Sequence, residues 1–347
     1  MTIQLWSSTT VQALPEVSVG VFPNFSFSHT KCCSDNFHKL LPLGAAHNIR
    51  LVILNRRDYA GSTKYTDENL KDLVAGDKSF MERLALEVKH FLLWFVEAHK
   101  IPKITADHKS GGFVVMGWSM GCATAFSLVG YPDVVRNESY RRLEPYLRQL
   151  ILYGVYLDEH DKCFHLTLLS CADPPFPLFG YDQPPEGYNP FADPDLPTPQ
   201  AVFENLKYWT SGYYDHPDLA SRSINGLKFD KRGSRPSVDN MTEEETAVNY
   251  DLAAGRTEAP MFVQMQPVLK VLTQTCLFDE KITSEVLPQL EVVYLYCAKA
   301  PWYCLWGMIE TERQYKEHLK LGHKVRPIRF LEIEGGNHFV SLEICCQ

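Results

Sequence analysis

Gly117-Trp118-Ser119-Met120-Gly121 is the stretch on which the fold turns. It has the form Gly-x-Ser-x-Gly. An apolar run, Phe113-Val114-Val115-Met116, precedes it, and small residues follow it, Cys122-Ala123-Thr124-Ala125-Phe126. That order reads as strand, sharp turn and helix, with Ser119 at the apex. Glycines flank the serine because the turn is strained and the strand and helix backbones pass too closely for a Cβ. A chain of ordinary composition contains the bare pattern by accident roughly once in ten cases, so the flanking strand and helix carry the inference. Such a turn lifts one hydroxyl out of a sheet, beside the positive end of a helix dipole. A weak nucleophile is presented for acyl transfer in this way.

The whole chain has room for this fold. Its 347 residues suit one large α/β domain with insertions, or two ordinary domains, and 45% hydrophobic residues supply a sizeable core. A net charge of −8 and a pI of about 5.8 give no electrostatic case for nucleic acid or an anionic membrane. Met1 to Val17 has neither a basic start nor a long apolar core, and no run of eighteen apolar residues exists. A cytoplasmic protein without a membrane span is therefore expected. The ten cysteines form no Cys-x-x-Cys pair and read as reduced thiols.

Strands and helices alternate along most of the sequence. Residues 17–21 and 50–55 read as strands, and residues 37–47 as a helix. Residues 79–99 read as a long amphipathic helix with Phe80, Leu84, Val88, Phe91, Leu92 and Phe95 on its apolar face. Further strands are expected at 113–116, 150–153, 290–296 and 328–333, and a charged helix at 310–321. Residues 173–199 hold nine prolines and should carry little regular structure, whereas residues 200–260 look helical but polar. Met241-Thr242-Glu243-Glu244-Glu245 resembles a helix start. The pattern implies a mostly parallel sheet with helices on both faces. We read residues 1–172 as the first part of the core, 173–260 as a lid insertion and 261–347 as the rest of the core. The insertion would lie over the C-terminal strand ends, where ligands bind in such folds.

With these motifs in place, the chain resembles the α/β-hydrolase superfamily, and within it the broad group of fungal α/β hydrolases. Asn55-Arg56-Arg57-Asp58-Tyr59-Ala60-Gly61-Ser62-Thr63 looks like the turn after that fold's fourth strand. Gly117 to Gly121 looks like its nucleophile elbow. Gly335-Gly336-Asn337-His338-Phe339 looks like the loop that delivers the catalytic histidine after the last strand. The resemblance covers about residues 36–153 and 173–340. It implies Ser119 as nucleophile, His338 as general base and Met120 as a backbone donor to the oxyanion hole, in the family's order of serine, acid, histidine. It implies no metal and no organic cofactor.

The acid is less direct. Many relatives carry it after the seventh strand, where this chain reads Cys297-Ala298-Lys299-Ala300-Pro301-Trp302, with no carboxylate. The alternative is the end of the sixth strand. Similar fungal sequences there read Leu-Ile-Leu-Tyr-Asp-Pro-Pro. Here Leu150-Ile151-Leu152-Tyr153 is followed by an unmatched segment, Gly154 to Ala172, and only then by Asp173-Pro174-Pro175. Joining the flanks restores the family reading, so we read 154–172 as a translated intron and Asp173 as the acid, with Asp158 second. Metal binding by His160, Cys163 and His165 fits no defensible ligand spacing.

Two other departures bear on activity. Ser28-His29-Thr30 is the nearest counterpart of the His-Gly that normally completes the oxyanion hole, and it lacks the glycine. After His338 the family continues into a closing helix, whereas this sequence stops at Cys345-Cys346-Gln347. The leading expectation is a serine hydrolase of an ester or related small acyl compound. Tyr181, Tyr188, Phe191, Trp209, Tyr213 and Tyr214 stand in the lid segment as candidates for pocket walls or for packing. A catalytically impaired binding protein of the same fold and an acyltransferase are the alternatives. Nothing in the sequence speaks to the oligomeric state.

Overall fold

The computed structural model describes residues 57–58, 62–107, 110–152, 173–243, 245–246, 250 and 255–343, with Gly44, Arg50 and Val52. The strand expected at 17–21, most of the strand at 50–55, of the helix at 37–47 and of the turn at 55–63, and the segment 154–172 lie outside these residues.

Among the described residues four strands form one parallel sheet: β1 (Phe113–Gly117), β2 (Leu147–Leu152), β3 (Glu291–Cys297) and β4 (Ile328–Ile333), in the spatial order β1-β2-β3-β4. Every residue of β1 is buried, as are all residues of β3 after the first. A parallel strand covered on both faces has no need of polar alternation, which is why Phe-Val-Val-Met and Val-Val-Tyr-Leu-Tyr are continuous apolar runs. β2 starts three residues earlier than its apolar run suggested, because Leu147 pairs with Phe113 across a register shift.

The α-helices delimited among the described residues are α1 (Asp67–Val74), α2 (Ser79–Ala98), α3 (Gly121–Gly130), α4 (Pro132–Val135), α5 (Asn137–Leu143), α6 (Pro199–Ser211), α7 (Gly255–Val263), α8 (Gln266–Thr273), α9 (Glu280–Glu285), α10 (Trp302–Lys320) and α11 (Val340–Glu343). The six apolar residues expected on one face of α2 are all buried. α2 packs on α3, α3 on β1, and α10 on β3. The α/β-hydrolase fold expected from the sequence is thus what the described residues build: strand, serine turn, helix, then further parallel strands.

Two expectations need correction. Residues 200–260 are not helical throughout: α6 ends at Ser211, and residues 212–240 run in turns and three short 3₁₀ segments. Polar composition there reflects turn chemistry, with Asp218 and Ser223 capping the turns. The charged helix expected at 310–321 begins at Trp302. The helix start at 241–245 is borne out by a reciprocal pair. Thr242 N–H donates to Glu245 Oε2 at 2.9 Å, and Glu245 N–H donates to Thr242 Oγ1 at 3.0 Å.

Candidate active site

Ser119 sits between β1 and α3 with φ +52°, a left-handed backbone that serine rarely adopts. Such strain persists only where the surroundings impose it. The glycine before it is required: a Cβ on Gly117 would lie 2.5 Å from Cys122 Cα and 2.8 Å from Cys122 N. Strand and helix backbones therefore touch, as expected. Gly117→Ala should force them apart, lowering stability by about 1–3 kcal/mol and displacing Ser119. Thermal melts of the variant, beside its reactivity at Ser119, check this.

The turn also arranges backbone donors. Gly121 N–H donates to Trp118 O, Cys122 N–H to Ser119 O and Ala123 N–H to Met120 O, at 2.8, 3.1 and 3.0 Å. The Met120 N–H is not among these donors. It stands one residue after the serine at the N-terminus of α3, where helix N–H groups lack intrahelical partners. Ser28-His29-Thr30, the counterpart considered for a second oxyanion donor, lie outside the described residues.

His338 reaches the serine from the loop after β4. Its Nε2 lies 3.2 Å from Ser119 Oγ. Asn337 anchors that loop. Its Nδ2 donates to Ser211 O at the end of α6 and to Ser237 Oγ, both at 2.7 Å, and its Oδ1 accepts from Phe339 N–H. Trp118 holds the histidine from the other side: its Nε1–H donates to His338 O at 3.2 Å, and its ring stacks on the imidazole, centroids 5.0 Å apart. Nothing in the sequence marked Trp118 or Asn337 beyond their places inside the two loops.

Asp173 meets the same histidine. Its Oδ2 lies 3.8 Å from His338 Nδ1, and its Oδ1 accepts from Cys297 N–H at 2.6 Å. Its backbone has φ +59°, and its N–H donates to Leu295 O. A carboxylate facing Nδ1 favours the tautomer with the proton there, leaving Nε2 to accept from the Ser119 hydroxyl. Ser119, His338 and Asp173 are 5%, 4% and 1% exposed, so charges among them act in a poorly screened setting. Asp158, the second candidate for the acid, lies outside the described residues.

The ladder explains how Asp173 arrives there. Leu152 of β2 pairs with Tyr294 of β3. The next position but one on β2 would face Tyr296, with its N–H directed at Leu295 O and its C=O side at Cys297 N–H. Asp173 bonds to those two groups, the second through its carboxylate. Asp173 thus takes, beside β3, the place two positions beyond Leu152 that a direct Tyr153–Asp173 bond would give it. Deleting Gly154 to Ala172 should therefore leave the sheet continuous and the three side chains together. Shortening a connection changes the closure entropy by only about 1 kcal/mol. We expect the shortened chain to be soluble, with a melting temperature no lower than its parent's; an insoluble or unfolded product would contradict the continuity of the ladder.

Cys304, which the sequence did not single out, stands in the first turn of α10 with its Sγ 3.6 Å from His338 Nδ1. Tyr303 meets the imidazole edge-on at 6.2 Å and packs on Trp209 of α6 at 4.5 Å. Cys122, Cys276, Cys297 and Cys304 are free and buried. Among the described residues, no group of three or more His, Cys, Asp or Glu side chains could hold a metal ion, and no helix is long and apolar enough to cross a membrane.

No protein-family description matches the chain, and no curated protein does. Similar solved structures include a bromoperoxidase from Bacillus anthracis, 13% identical over 94% of this chain and 86% of that one, TM-score 0.45. A peroxisomal alpha-beta-hydrolase from Saccharomyces cerevisiae is 13% identical over 96% of this chain and 73% of that one, TM-score 0.41. A thioesterase of prodiginine biosynthesis from Streptomyces coelicolor is 16% identical over 98% and 85%, TM-score 0.39. No substrate or activity passes from these proteins to this chain.

Proposed function

We propose that this protein is a serine hydrolase that cleaves an ester or related small acyl compound through Ser119, His338 and Asp173. The observation that carries the reading is the 3.2 Å approach of His338 Nε2 to the hydroxyl of a serine held at positive φ. Ser119 Oγ attacks the acyl carbonyl carbon as Nε2 takes its proton. The imidazolium then gives that proton to the leaving alcohol, and the acyl group stays on Oγ. Water, deprotonated by the same nitrogen, releases the acid and restores the serine. Asp173 favours the Nδ1–H tautomer and stabilises the imidazolium, and the Met120 N–H supports the oxyanion.

Residues 173–260 form the lid in this reading. Two lid aromatics stand one ring away from the histidine, Trp209 through Tyr303 and Tyr250 through Phe339. The remaining lid rings largely pack: Tyr181 stacks on Phe179, and the Tyr214 hydroxyl donates to Trp209 O.

A fluorophosphonate probe tests the assignment. The folded wild type should be labelled, and Ser119→Ala should not. A well-folded wild type that resists the probe would instead point to a binding protein of this fold. Supplying a competing alcohol and looking for the transesterified product separates a hydrolase from an acyltransferase.

A further inference from the structure

The Nδ1 edge of His338 faces two groups. Asp173 Oδ2 is 3.8 Å away, beyond hydrogen-bond reach, and although buried it has no hydrogen-bond partner among the described residues. Cys304 Sγ is nearer, at 3.6 Å, and the larger sulfur makes that an ordinary hydrogen-bond separation. In a Ser-His-Asp arrangement the carboxylate normally takes the Nδ1–H bond. Here a thiol stands at that nitrogen instead.

Both neighbours are held by the backbone. Cys304 N–H donates to Pro301 O at 3.0 Å, fixing the first turn of α10. The loop before it is pinned by Tyr214 N–H on Lys299 O at 3.0 Å and by the His216 Nε2 contact with Ala300 O at 2.8 Å. Asp173 is held by Cys297 N–H. The residue after it touches α10 so closely that a Cβ on Gly307 would lie 2.9 Å from Pro174 O. With both sides fixed, the imidazole is the part whose place the thiol decides.

We propose that Cys304 is a positioning residue: its sulfur accepts the Nδ1–H bond and keeps His338 out of hydrogen-bond reach of Asp173. The carboxylate then acts on the imidazole through space alone. An opposite charge favours the protonated form of histidine, and a direct hydrogen bond to that charge favours it further. Cys304 therefore limits how far the carboxylate can stabilise the protonated imidazole. The consequence for catalysis rests on His338 being the general base; the effect on its titration does not.

The titratable groups around this edge are Asp173 after β2, Cys297 at the end of β3, Tyr303 and Cys304 on α10, and Cys122 on α3. Burial pushes the three thiols and the Tyr303 phenol up, and the Asp173 charge pushes in the same direction, so they stay neutral. Among these groups Asp173 carries the one formal charge that His338 meets.

The test reads His338 directly, by ¹⁵N NMR titration of the imidazole, with His338→Gln to assign the signal. In Cys304→Ala the ring can close on Asp173, and the midpoint should rise by about half to one pH unit. Adding Asp173→Asn should abolish the rise. Cys304→Ser is a milder change whose smaller oxygen permits part of the approach; it should shift the midpoint the same way by less, and serves if the alanine variant does not fold. A midpoint that stays or falls in the folded variants would overturn the proposal, as would a rise that survives Asp173→Asn. Because the titration needs no turnover, an inactive protein would sink the hydrolase reading and still leave this question answerable.

Discussion

Ser119→Ala and His338→Gln should each lower kcat for a simple aryl ester by about 10⁶, and the double variant should be no worse than either. The two side chains act as one device. Without the imidazole the hydroxyl keeps its proton; without the hydroxyl the imidazole has nothing to activate at that carbonyl. Removing the second partner therefore costs nothing further, whereas independent contributions would multiply. The fold should tolerate the serine change, since alanine meets the same left-handed backbone at φ +52° with no larger side chain. Melting curves should stay close to the parent's while turnover vanishes. Activity within tenfold of wild type in Ser119→Ala would place the chemistry elsewhere.

Asp173→Asn is the second large effect. The amide oxygen can still accept from Cys297 N–H, so the side chain keeps its seat. What it loses is the charge that acts on the imidazole across 3.8 Å, so the Nδ1–H tautomer and the imidazolium formed during turnover are no longer favoured. We expect a fall of about 10³- to 10⁴-fold in kcat. Stability should move the other way or not at all, because the replaced Oδ2 has no hydrogen-bond partner among the described residues and a buried charge without one is costly. Loss of activity together with retained thermal stability separates an orienting acid from an aspartate that merely caps the loop before Pro174 and Pro175. Loss of both would favour the cap.

The parts of this protein that were legible in sequence share a physical cause. Local pattern reports local structure where one face of an element must be apolar or one backbone position must be glycine. The face of α2 was readable from Phe80 to Phe95 because one side of a helix repeats every three or four residues. Ser119 was readable because the close pass between Gly117 and Cys122 admits no Cβ, and that demand shows as a glycine at a set distance from the serine. His338 was readable because its loop closes a strand with two glycines.

What stayed hidden was set by neighbours distant in the chain. The first half of α10 is buried from Trp302 to Leu305, so it lacks the two-sided pattern that revealed its charged second half. Cys304 therefore gave no sign of standing at the imidazole. Asp173 could be proposed only by joining Tyr153 to it, and its actual place depends on hydrogen bonds to Leu295 and Cys297, more than a hundred residues away. The sequence alone determined an α/β fold with a serine turn and a histidine loop, because backbone strain and strand periodicity are written into consecutive residues. The tertiary structure alone decided the separations at Nδ1, 3.8 Å to the carboxylate and 3.6 Å to the thiol, because three separate segments must pack before those atoms meet.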